Sequence, residues 1–96
     1  MPLDRAEGVK WFVSSAKHGT VGGEVDMGIA YATGEGIRQD RLQAYMWFSL
    51  AADQGNAPAV KYRDHIASEL QPDQVRRAQD MAKTCRGSNF KVCGLP

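Results

Sequence analysis

"DRLQAYMWFSLAADQG", residues 40–55, decides the fold, because the chain carries an earlier copy of it. The stretch DRAEGVKWFVSSAKHG, residues 4–19, aligns with it at an offset of 36 residues without a gap. Asp4 and Arg5 match Asp40 and Arg41, Trp11-Phe12 match Trp47-Phe48, Ala16 matches Ala52, and Gly19 matches Gly55. An ordered set of identities at one spacing is an internal repeat. A period of this length marks stacked units that each bury a face on the next.

Both copies read as helices. Asp4 with Glu7, and Asp40 with Gln43, have the spacing of a capping box, in which the aspartate accepts a bond from an otherwise orphan amide. In the second copy Leu42, Tyr45, Trp47, Phe48, Ala51 and Ala52 recur at three- and four-residue intervals and form a wide apolar face. Gly19 and Gly55 follow as left-handed stops. Between the copies, Val25, Met27, Ile29, Ala30 and Tyr31 make a shorter helix that ends at Gly34. Gly28 inside it costs propensity and is explained by a closely packed neighbour. After Gly55, NAPAVKYRDHIASEL begins another helix with Pro58 in its first turn. QPDQVRRAQDMAKTC begins a last one with Pro72 at its first position. Val75, Ala78, Ala82 and Cys85 give the last helix a narrow apolar stripe.

The expected fold is therefore all-α, with about five helices in antiparallel pairs. It forms one helical-repeat domain over 1–86: a half repeat at 4–19, a full repeat at 19–55, a degenerate half repeat at 55–70 and a capping helix at 72–86. Residues 87–96 form a tail, with Phe90, Val92 and Leu95 able to fold back. Trp11, Phe12, Met27, Tyr31, Trp47, Phe48 and Tyr62 are the expected core.

Composition agrees with a small globular chain. Of 96 residues, 43% are hydrophobic and 24% charged, with a net charge of +1. That balance is too even for a nucleic-acid footprint. No apolar run approaches the ~18 residues a membrane span needs, and MPLDRAEGVK lacks the layout of a signal peptide. The default location is cytoplasmic, or periplasmic or secreted if a signal lies upstream. Cys85 and Cys93 are expected as free thiols, with a disulfide around RGSNFKV as the alternative in an oxidising compartment.

Gly19, Met27-Gly28, Tyr31, Gly34, Gly36-Ile37, Asp40, Ala44, Trp47, Ala51-Ala52, Gly55 and Ala59 together resemble the Sel1-like repeat, a relative of the tetratricopeptide repeat with a longer link between its helices. The pattern fades after Gly55, where Arg63-Asp64 stand in place of Met27-Gly28 and Ala67 replaces Tyr31. The resemblance implies a short, right-handed, tetratricopeptide-like solenoid that acts as an adaptor or scaffold, binding another protein along its concave face, in bacterial signalling, envelope or secretion pathways. Some cysteine-rich relatives carry a disulfide across a seven-residue gap, as between Cys85 and Cys93, and are linked to binding or hydrolysing beta-lactams. That supplies the enzymatic alternative to a non-enzymatic interaction module. A third reading is a purely structural fragment of a longer array.

Chemical motifs are sparse. GEGI, residues 34–37, lacks the lysine of a phosphate-binding P-loop, and it follows a helix where a dinucleotide fingerprint follows a strand. Its ligand spacing does not fit a calcium loop. His18 and His65 have no nucleophile at helical spacing on the same face. No catalytic residue, cofactor or metal ligand is assigned. Arg76, Arg77, Lys83, Arg86 and Lys91 form the one basic cluster, read first as a solvated face. The expected protein-binding residues are Glu24, Asp26, Lys61 and Arg63, on the inner helix of each pair. A homodimer through the exposed N-terminal helix is a further expectation.

Overall fold

The computed structural model describes Trp11, residues 19–89 and Cys93. Four helices lie within the described residues: α1 (Val21–Thr33), α2 (Arg41–Asp53), α3 (Ala57–Ser68) and α4 (Pro72–Gly87). Of the first copy of the repeat, Trp11, which is helical, and Gly19 fall within them.

Each start has a local cause. Thr20 caps α1 by accepting from the Gly23 amide at 3.3 Å, Asp40 caps α2 from Gln43 at 3.2 Å, and Asn56 caps α3 from Ala59 at 2.8 Å. α4 opens on Pro72 with a reciprocal capping box between Gln71 and Gln74. At Asp40 only half of the expected box forms, because the buried Gln43 Oε1 has no partner among the described residues. The α1–α2 link turns on Gly34 (φ 76°) and Gly36 (φ 77°). Gly34 donates to the Ala30 carbonyl at 2.8 Å, and Asp40 reaches back to Tyr31 at 2.9 Å.

Contacts fix the directions. The end of α2 meets the start of α1, where Gln54 bonds Glu24, so these helices are antiparallel. The start of α2 meets the end of α3 through Arg41 and Glu69, so these are antiparallel too. α4 runs with α2: Gln79 meets Tyr45, and Arg86 meets Asp53. α1 and α3 therefore lie parallel, and α2 is the hub on which the other three pack. Helices that alternate in direction, the first three each packed on its sequence neighbour, agree with stacked repeat units.

Burial follows from the hub. Every residue of α2 from Ala44 to Ala51 is buried. Met27 and Tyr31 reach this core from α1, Ile66 from α3, and Ala78, Ala82 and Cys85 from α4. Each large apolar side chain there contributes about 1.5–3 kcal/mol. Gly28 is where α1 comes closest: a Cβ there would stand 2.5 Å from the Phe48 ring. Cys93 is buried and forms a disulfide with Cys85, so the tail is tied down at that point rather than loose, and the two thiols are not free.

Two expected core residues are corrected. Trp11 is 71% exposed. Adjacent helical residues point about 100° apart, so a Trp-Phe pair is wholly buried only where the helix is covered on several sides, as α2 is. Tyr62 is 45% exposed; its ring packs on Phe48 at a centroid distance of 5.3 Å while its other side faces out. Phe12 lies outside the described residues.

Candidate functional site

Two surfaces border the hub, with no lining residue in common. The first starts from Glu24, expected at the surface but found with 0% exposure. The helical turn that brings Met27 and Tyr31 onto α2 also turns Glu24 inward, beside the end of that helix. One oxygen accepts from Gln54 Nε2 at 2.5 Å. The other, Oε2, is buried with no partner among the described residues. Burial pushes the carboxyl up to about 7; Arg86 opposes the rise and Asp53 adds to it. Arg86 and Asp53 are themselves paired.

Asp53 and Arg86 in turn line a groove of about 280 Å³ between α2, α3 and α4. Tyr45, Ser49 and Asp53 form its α2 side, Arg63 comes from α3, and Gln79, Lys83 and Arg86 come from α4. Arg63 also touches its neighbour Asp64 at 3.3 Å. Three cations thus face one lining carboxylate.

The second surface is apolar. Between α1 and α3 a groove of about 260 Å³ is lined by Ile29, Ala32, Phe48, Tyr62 and Ile66, with Thr33 and His65 at its edge. Phe48 and Ile66 are buried and make the floor, while Ile29, 40% exposed, and Tyr62 make the walls. His65 lies 3.5 Å from Glu69, which also pairs with Arg41.

The four expected binding residues do not form one site. Glu24 belongs to the interior, Asp26 is half-buried on α1 with its carboxyl raised by burial, Lys61 is exposed on α3, and Arg63 lines the polar groove. The walls of the apolar groove, Ile29 and Tyr62, were not among them. Tyr62 sits in the same stripe as Ala59 and Ile66, so its spacing alone reads as core. Ile29 next to Gly28 was the available signal, since an apolar residue beside a close helix contact must face another way.

Among the described residues no group of acidic, histidine or cysteine side chains could hold a metal ion, and no helix is long and apolar enough to cross a membrane. Comparison with curated proteins gives no match, and neither does comparison with solved structures. The family model of the Sel1 repeat matches residues 1–20 and 23–56. Those segments contain the two copies related by 36 residues, the Gly34–Ile37 link and the hub helix. Repeats of this kind serve in general as protein-interaction modules. On the match and the helical architecture together, the chain belongs to the Sel1 repeat family.

Proposed function

We propose that this chain is a non-enzymatic interaction module that receives an apolar segment of another protein in the α1–α3 groove. The observation that carries the reading is the pairing of exposed Ile29 and Tyr62 across a floor of Phe48 and Ile66. Exposed large apolar side chains that converge on a preformed groove are the usual anchor for a partner's side chains. Asp26 and Lys61 lie on the two helices that bound it and supply opposite charges for orienting a partner.

A photo-crosslinking amino acid at His65, on the edge of the groove, tests this in native extract. The expected result is a discrete crosslinked protein that is lost when Tyr62→Ala is added and absent when the probe replaces Asp73 on α4. Equal capture at both positions, or capture that ignores Tyr62→Ala, overturns the reading.

The Cys85–Cys93 bond supports an oxidising compartment, periplasmic or extracellular, over the cytoplasmic default. Cytosolic reductants keep such thiols reduced. Trapping thiols with an alkylating agent at the moment of lysis tests this. Protein with no free thiol agrees with it, and two alkylated cysteines return the chain to the cytoplasm.

A further inference from the structure

We propose that the polar groove between α2, α3 and α4 is a phosphate-binding site, seated on Ser49 and Tyr45 and clamped by Arg63, Lys83 and Arg86. It shares no lining residue with the α1–α3 groove, and neither reading depends on the other.

The floor is built from groups with hydrogen bonds still to make. Ser49 is 8% exposed, and its Oγ has no partner among the described residues. A buried hydroxyl left unpaired costs free energy that a ligand acceptor would recover. Tyr45 is also buried, and its phenol accepts from Gln79 Nε2 at 3.3 Å, which leaves its own proton to donate. Both residues face the same groove, four positions apart and so one turn apart on α2.

The walls supply charge from two other helices. Arg63 comes from α3, and Lys83 and Arg86 from α4. Asp53 is the one carboxylate among the described lining residues, which together carry a net charge of +2. Asp53 pairs with Arg86, and among the described residues Arg63 is held by two long bonds, both 3.3 Å, to its own neighbour Asp64. Donors therefore converge on one space from three helices. A tetrahedral dianion has acceptor oxygens in that many directions; a planar carboxylate does not. Guanidinium groups bind such oxyanions in bidentate fashion, while lysine adds a point charge.

The test is a titration followed by two-dimensional NMR at fixed ionic strength, with inorganic phosphate in one arm and an acetylated Gly-phosphoserine-Gly peptide in the other. The expected result is saturable shifts at Ser49, Arg63 and Arg86. Lys83→Gln or Ser49→Ala should weaken binding by about tenfold, the loss expected for one charge-assisted or newly satisfied hydrogen bond. Arg76→Gln, on the same helix but outside the groove, should leave it unchanged. Equal affinity for the two probes assigns the site to free phosphate, and tighter binding of the peptide assigns it to a phosphorylated protein. Shifts that rise linearly without saturating, or affinities that Lys83→Gln leaves intact, overturn the proposal. Lys83 is exposed, so its replacement tests binding without disturbing the core.

Discussion

Glu24 holds a carboxyl where ionisation is opposed. In the unfolded chain it releases its proton near 4.5, and in the folded chain near 7. Below 4.5 both states keep the proton, and this group does not affect stability. Between 4.5 and 7 only the unfolded state has ionised, so rising pH favours unfolding; above 7 the loss is complete. Glu24→Gln removes the charge and keeps an oxygen for Gln54. The variant should match the parent near pH 4 and melt higher at pH 8 by roughly 4 °C or more, with melting temperature against pH as the measurement. Gly28 poses a problem of space. Because a Cβ there would meet three Phe48 ring atoms within 2.9 Å, Gly28→Ala should lower stability by about 1–3 kcal/mol. Urea unfolding reads the loss. Adding Phe48→Leu should make the two changes less than additive, because the smaller side chain relieves the contact.

The helices themselves were largely legible in the sequence, because their signals are short-range. A cap needs only a polar side chain and an amide three residues on, and Asp40, Pro58, Pro72 and Gly34 all stand where such rules put them. Asp40→Ala should therefore cost about 1 kcal/mol, again by urea unfolding, whereas Arg38→Ala in the exposed link should cost almost nothing. What periodicity could not reveal was how many neighbours a helix has. The stripe on α2 predicts one covered face, yet α2 is buried on several sides, since α4 turns back to run beside it. The same limit explains Glu24 and Trp11. Their fates depend on which element lies opposite, and that information sits thirty or more residues away in the chain. Both grooves were illegible for this reason: each is assembled from helices that are only partly matched by the repeat pattern.

At the level of the molecule, the repeat predicted helices stacked on one another, and the structure shows α2 covered from more than one side. α4 covers a further side of α2, along Tyr45 and Asp53, and the Cys85–Cys93 bond fastens the chain beyond it to the same core. Cutting that bond frees a short loop, and the chain-entropy model puts the cost at roughly 2–3 kcal/mol. A Cys93→Ser variant should thus unfold at lower urea than the parent, and reductant should shift the parent to the same midpoint. The position of the hub in the sequence has a consequence for how the protein is made. α2 leaves the ribosome with α1 already available on one side, but its α4-facing residues, Tyr45 and Met46 among them, must wait until Gly87 has been added. At ordinary elongation rates that interval lasts roughly 2–7 seconds. During it a nascent chain displays the most deeply buried helix of the fold half-dressed, and that is the window in which a chaperone has something to hold.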